Sequence, residues 1–179
     1  MASKETWEKI APYFKPHSTT DNWGDVDAIS DEHLLRLYDF RTWLGLPIII
    51  TAGVKSSGHA ANSYHYSRKD KSGKEIGACA TDIIIPDYDA TPYDLVLDAS
   101  RFGFTGIGYY PHWKYNGKMV GGLHVDSRPL KRDKDGTQNY SHSRWMGVLI
   151  EGKQQYVGLN FHNMLMYCNE DMPIDVTQH

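Results

Sequence analysis

The sequence predicts a single α+β domain, 1–179, in which a small, mostly antiparallel sheet carries helices packed on one face. Two segments have apolar residues at helical spacing and capping residues at their ends. Several other segments are short β-branched or glycine-containing runs of the kind found in strands. Their order is helix, strand, histidine-bearing loop, strand, helix, strand and strand. That order favours one sheet with its helices on one side.

The first 44 residues are predicted to be helical in two places. Residues 1–29 form a short helix and a loop, an N-terminal extension to the domain. The next helix runs through EHLLRLYDFRTWLG, where the leucines fall on one face. Ser30 or Asp31 can cap its N-terminus, and Gly45 ends it.

Two apolar runs on either side of a polar loop predict the centre of the sheet. The run PIIITAG (47–53) is β-branched and indicates a buried strand. Residues 55–79 are rich in Ser, Gly, Lys and Asn, which predicts a loop carrying His59 and His65. The run ACATDIIIP (78–86) predicts the second strand.

The following segments complete the predicted sheet. In TPYDLVLDASRFGF, Thr91 can cap a helix whose apolar side chains lie on one side, and Gly103 ends it. TGIGYYP (105–111) and MVGGLHVDSR (119–128) are strand-like and are predicted to pair as a hairpin.

The last fifty residues carry weaker patterns. Residues 129–144 are polar and predict a surface loop, after which 145–150 returns to the sheet. Residues 154–166 are compatible with a helix.

Composition narrows the classes of function. The net charge is −3 and the basic residues are scattered, so the chain lacks the electrostatic footprint of a nucleic-acid-binding protein. Cys79 and Cys168 are too few for a disulfide framework and are expected to be reduced. We find no signal-peptide pattern and no apolar run long enough for membrane insertion, so we expect synthesis as a soluble cytoplasmic product.

Four residues at the predicted strands have the chemistry of a metal site. His124 and Asp126 share one face of their strand, and Asp82 on a neighbouring strand can join them, with His65 in the loop before it. Two imidazoles and one carboxylate suit a catalytic zinc ion with an open fourth position. Asp82 precedes three isoleucines, and a buried carboxylate there needs a partner to offset its desolvation.

The ordered set S-x-H, A-x-D-I, G-I-G-Y-Y-P, H-V-D and a later Trp resembles a family of zinc peptidases. This family, related to D-alanyl-D-alanine carboxypeptidase, includes phage endolysins and the metal-binding domain of hedgehog proteins. The resemblance covers about residues 34–145. It is carried by Ser63, His65, Ala80, Asp82, Ile83, Gly106 through Pro111, His124 through Asp126, and Trp145.

The resemblance implies a hedgehog-like and peptidase-like fold with one Zn²⁺ per chain, held by His65, Asp82 and His124. It implies a peptidase that cuts peptidoglycan stem peptides or cross-bridges, as a carboxypeptidase or an endopeptidase. Because no signal peptide is found, a phage-type endolysin or a virion-associated lysin that reaches the cell wall after release fits best. The alternative is a structural or virion module that keeps the metal site without peptidase activity.

The sequence departs from the family pattern at two places. The gap from His65 to Asp82 is longer than usual, and we interpret 66–79 as a loop insertion at the mouth of the cleft. Lys55 stands where the family has an arginine that steadies the substrate carbonyl. Lysine keeps the positive charge but loses the two-pronged hydrogen bonding of arginine.

The general base is the least determined part of the predicted site. The family's usual base positions are occupied by Gly121 and Gly122, which leaves Asp126 as the candidate that takes the proton of the attacking water. Asp126 could instead be the third ligand with His124 as the base, or it could only orient a ligand imidazole.

Four further side chains are candidates for contacting substrate, with His59 and His112 also weighed as substitutes for the base. They are Ser63, His59, His112 and Tyr110.

Overall fold

A computed structural model of the chain describes residues 1–55, 63–69, 72–129 and 142–168. Within these residues the fold is α+β, with helices and a mostly antiparallel six-stranded sheet ordered β1-β4-β8-β5-β9-β10. Only the β5–β9 pair in this sheet is parallel. The elements are α1 Lys4–Ile10, α2 Asp31–Leu44, β1 Ile49–Ala52, β2 Arg68–Lys69, β3 Glu75–Ile76, β4 Ala80–Ile84, α3 Pro92–Arg101, β5 Gly106–Tyr110, β6 Lys114–Tyr115, β7 Lys118–Met119, β8 Gly122–Asp126, β9 Ser143–Ile150, β10 Lys153–Gly158 and α4 Phe161–Cys168.

Capping residues define the two predicted helices. The Ser30 side chain accepts a hydrogen bond from the backbone of His33, and Gly45 ends α2 in the left-handed conformation with φ 69°. Thr91 and Asp94 form a reciprocal capping box at the start of α3. None of the helices in the described ranges is long and apolar enough to cross a membrane.

The two faces of the sheet differ in character. One face packs into the apolar core under α2, where His33 Nε2 lies 3.1 Å from the Thr81 hydroxyl. Side chains two residues apart share a face, so Asp82, His124 and Asp126 point to the opposite face. This alternation places the Asp82, His124 and Asp126 side chains on the face away from the helices.

Several elements differ at their ends from the sequence prediction. Residues 1–29, predicted as an N-terminal extension, bury Trp7, Phe14 and Trp23 in the core. The backbone N–H of Asn22 also donates to the carbonyl of Ile50 at the edge of β1. The segment 66–79 contains the β2–β3 hairpin, and its last residues, Ala78 and Cys79, are buried.

The C-terminal boundaries also differ from the prediction. Residues 130–141 of the predicted loop lie outside the described residues, and Ser143 and Arg144 belong to β9. The segment 153–158 is an edge strand rather than a helix, and α4 begins only at Phe161.

Glycines on the polar face of the sheet make room for large side chains lying across it. A Cβ atom on Gly108 would overlap the Trp145 ring, and one on Gly147 would overlap the Tyr110 ring. Gly106 leaves room in the same way for the Asp126 carboxylate. The side chains of the polar face therefore lie flat over neighbouring strands.

We expect Gly108→Ala to destabilise the protein by about 1–3 kcal/mol, because Trp145 must leave its position over the strand. Urea denaturation monitored by tryptophan fluorescence measures this loss. Gly158→Ala is the matched control, since the nearest atom to its new Cβ would be 3.7 Å away. Equal stabilities of the two variants would contradict the packing argument.

Candidate metal centre

Three side chains from separate parts of the chain converge on the polar face of the sheet. Asp82 and His124 are direct cross-strand neighbours on β4 and β8. His65 is brought to them by the chain that follows β1, where its carbonyl accepts a hydrogen bond from the Lys55 backbone. All three side chains are buried, and their donor atoms form a cluster that could hold a metal ion.

The distances between the donor atoms fit one small cation. His124 Nδ1 lies 2.9 Å from Asp82 Oδ1 and 3.2 Å from His65 Nε2. His65 Nε2 lies 3.3 Å from Asp82 Oδ1. Donors at about 2.0–2.1 Å from a tetrahedral metal stand roughly 3.3 Å apart, so the triangle suits tetrahedral coordination.

The outer nitrogen of each imidazole has a fixed acceptor. His65 Nδ1 lies 2.6 Å from the carbonyl oxygen of Gly53, and His124 Nε2 lies 3.1 Å from Asp126 Oδ2. In the neutral imidazoles, donation to these acceptors keeps the proton on the outer nitrogen, so that the inner nitrogen's lone pair is available to a metal ion. Two nitrogen lone pairs and a carboxylate oxygen then meet at one point, an arrangement that a cation stabilises.

The electrostatics of the cluster show how strongly it attracts positive charge. Burial opposes ionisation of Asp82, but hydrogen bonds from His124 and His65 outweigh it and hold the Asp82 pKa well below its usual range. Burial disfavours the charged form of His124, yet its bonds to Asp126 and Asp82 raise the pKa of His124 to about 9. Without a metal, His124 therefore carries a proton at neutral pH.

We expect zinc binding to displace this proton, so that affinity rises with pH from 6 to 8. The sign follows from the raised pKa of about 9, because below it a cation competes with the His124 proton. Calorimetric titration in two buffers of different ionisation enthalpy should give a release of about one proton per zinc at pH 7. An affinity independent of pH would show that His124 carries no proton to displace.

Asp126 does not fit the role of general base that the sequence suggested. Its side chain is fully buried, and Arg128 binds both of its oxygens, with Nε 2.7 Å from Oδ1 and Nη2 on Oδ2. Burial opposes its ionisation, but the bonds from Arg128 and His124 hold the Asp126 pKa below its usual range. The geometry favours the alternative interpretation, in which Asp126 orients the His124 imidazole.

Lys55 lies beside the donor cluster. Its ammonium nitrogen is 3.7 Å from Asp82 Oδ2, the carboxylate oxygen that faces away from the imidazoles. The side chain is about three-quarters buried. Lys55 is therefore close enough to the cluster to meet a substrate there, while its catalytic role stays a prediction.

The cluster opens into a cleft of about 780 Å³ that crosses the polar face. Ser63 and Tyr110, two of the predicted substrate contacts, line it. His112 does not, because it lines a second cavity, so its predicted substrate contact is not supported. His59 lies outside the described residues. The cleft is lined by Lys55, Ser63, Tyr64, His65, Asp82, Tyr110, Trp113, His124, Arg128, Trp145, Gln154 and Tyr156.

Sequence reasoning did not identify several residues of this wall. Arg128 stacks on the Tyr64 ring, with 4.4 Å from its guanidinium carbon to the ring centroid. The period of two along β8 could have indicated Arg128, since it follows Asp126 by two positions. Gln154 and Tyr156 had no such signal, because their segment was interpreted as a helix.

No protein-family model, curated protein or solved structure matches this chain in searches of all three kinds.

Proposed function

We propose that this protein is a zinc-dependent peptidase that cleaves peptide bonds in bacterial peptidoglycan. The observation that carries the proposal is the convergence of His65 Nε2, Asp82 Oδ1 and His124 Nδ1 at the wall of an open cleft. Three protein donors, with room left for a fourth, are typical of catalytic rather than structural zinc. The choice of peptidoglycan is supported by the ordered sequence motifs alone.

Zinc supplies two things when bound in such a site, acidification of a water molecule and polarisation of the substrate carbonyl. The protein's own residues do the rest. Asp126 accepts a hydrogen bond from His124 Nε2–H and so fixes the imidazole with its Nδ1 toward the cluster. Lys55 Nζ is placed to offset the negative charge that develops on the carbonyl oxygen.

The direct test is turnover of purified peptidoglycan by the zinc-loaded protein, with released muropeptides identified by mass spectrometry. We expect new peptide ends to appear, to disappear with a chelator, and to return when zinc is restored. Stoichiometric zinc without any released peptide would contradict the peptidase proposal.

A second candidate function is a metal-binding structural or virion module without peptidase activity. One observation favours it: in the described part of the cleft wall, Asp82 is the only carboxylate, and it belongs to the donor cluster. A protein of this kind would keep its zinc and its thermal stabilisation by zinc but release no peptide. The turnover experiment therefore separates the two candidates.

We further propose that the protein acts at the cell wall as a phage-type endolysin or a virion-associated lysin. This part of the proposal is supported by the resemblance of the motifs from His65 to Trp145 to those of phage enzymes. Lysis of outer-membrane-permeabilised bacteria by added zinc-loaded protein tests it, and intact cell walls after prolonged exposure would contradict it.

A further inference from the structure

The cleft extends far beyond the donor cluster. Six of its lining residues lie on β4, β8, β5, β9 and β10, which are side by side in the sheet. Neighbouring strands are about 4.8 Å apart, so β10 lies about 14 Å from β8 along the sheet. A substrate bound at both ends would span about four extended residues.

Two side chains of the edge strand β10 form the far end of this cleft. Tyr156 lies opposite Gly147 in the β9–β10 ladder, and Gln154 is two positions away on the same face. The absence of a side chain at Gly147 lets the Tyr110 ring lie over β9, toward Tyr156. Tyr156 is 66% exposed, so its hydroxyl is accessible to a ligand.

The hydrogen bonds at this end have a defined direction. Trp145 Nε1 can only donate, and it lies 3.3 Å from the Tyr110 hydroxyl. The Gln154 amide nitrogen donates to the Tyr156 hydroxyl at 2.8 Å. Burial raises the pKa of Tyr110, and the neighbouring Tyr156 adds to this against the opposing bond from Trp145. Tyr110 thus keeps its proton.

One hydrogen-bond donor and one acceptor remain side by side on β10. The Tyr156 oxygen accepts from Gln154. It also accepts from the Tyr110 hydroxyl, a hydrogen bond that contributes to the raised pKa of Tyr110. The Tyr156 O–H itself therefore remains to be donated. The amide oxygen of Gln154 has no hydrogen-bond partner in the described portion of the chain. A donor next to an acceptor on an exposed edge matches the N–H and C=O groups of a secondary amide.

We propose that Gln154 and Tyr156 form a binding subsite for a peptide unit of the substrate, about four residues from the bond that is cut. Gln154 Oε1 accepts the substrate N–H, and the Tyr156 hydroxyl donates to a substrate carbonyl. This inference rests on the proposed peptidase function and extends it. A subsite so far from the donor cluster selects internal bonds in long stem peptides or cross-bridges, which makes the enzyme an endopeptidase.

The test uses Gln154→Ala, Tyr156→Phe and the matched control Gln155→Ala, whose side chain lies on the opposite face of the same strand. Binding of a peptidoglycan stem tetrapeptide to the zinc-free protein is measured by calorimetry, which requires no turnover. We expect each of the first two variants to weaken binding by about tenfold, the typical effect of one lost hydrogen bond. The control should bind like the native protein.

Other outcomes overturn the inference. The proposed subsite is contradicted if the native protein and all three variants bind the tetrapeptide equally. It is also contradicted if Gln155→Ala weakens binding as much as the other two variants do. Binding of an N-acetylglucosamine tetramer but not of the tetrapeptide assigns the pair to a sugar acetamido group instead. If the tetrapeptide results are as expected but no peptidoglycan is cut, the peptidase proposal fails and the subsite stands. Faster cleavage of terminal dipeptides than of cross-linked muropeptides refutes the endopeptidase assignment.

Discussion

Replacement of His65, Asp82 or His124 by alanine is expected to lower zinc affinity by at least about 100-fold and to abolish turnover. Each residue contributes one of three donor atoms that stand within 3.3 Å of one another. Removing even a partner that only orients a ligand costs about 10–100-fold in affinity, and removing a donor itself costs more. Elemental analysis after dialysis against a weak chelator measures retained zinc.

The matched controls for these variants are His17→Ala and Asp87→Ala, which change the same residue types at exposed positions. They should retain about one zinc per chain. If any of the three site variants keeps native affinity, that residue is not a ligand. Retention by the Asp82 variant alone would point to a site made by the two imidazoles with another donor.

Much of the site was predictable because it depends on strand periodicity. His124 and Asp126 share a face because side chains alternate along a strand. The apolar run that follows Asp82 in the sequence predicted the strand β4. The order of the strands along the chain does not specify that β4 and β8 are neighbours. Their pairing was a reasonable prediction because the buried carboxylate of Asp82 needs a partner, which the histidine on β8 can supply. His65 was a candidate because it stands in the loop just before the second strand, and the family resemblance supported it, but nothing local fixes where a loop histidine lies.

The parts that could not be predicted depend on contacts between distant segments. The contacts of Asp126 favour its orienting role over that of a base because Arg128 binds both its oxygens. The sequence did not indicate this contact, since an i, i+2 pair at the end of a strand can equally point into solvent. The buried side chains within 1–29 include Trp7 and Trp23, which pack edge to face with ring centroids 5.3 Å apart, a contact that spacing alone does not encode. Residues 153–158 form a strand because β9 offers a partner, whereas their own pattern is weak.

Asp126 links the donor cluster to the stability of the fold. Its carboxylate accepts from Arg128 and from His124 Nε2, and it is fully buried. Its replacement by an amide leaves the Arg128 guanidinium without its counter-ion and leaves one acceptor oxygen where Arg128 and His124 now use two. A true general base would behave differently, because its loss would leave folding and zinc binding intact and reduce turnover alone.

Asp126→Asn is therefore expected to destabilise the protein by about 3–5 kcal/mol, the usual cost of breaking a buried ion pair, and to weaken zinc binding by about 10–100-fold. Chemical denaturation of the zinc-free protein measures the first effect, and zinc titration measures the second. Asp98→Asn, at a carboxylate that accepts from Tyr88 and Arg101 on the other side of the fold, controls for loss of an ion pair and should leave zinc affinity unchanged. Native stability and zinc affinity in Asp126→Asn, combined with lost turnover, would restore Asp126 as the base, since only a proton-transfer role explains that combination.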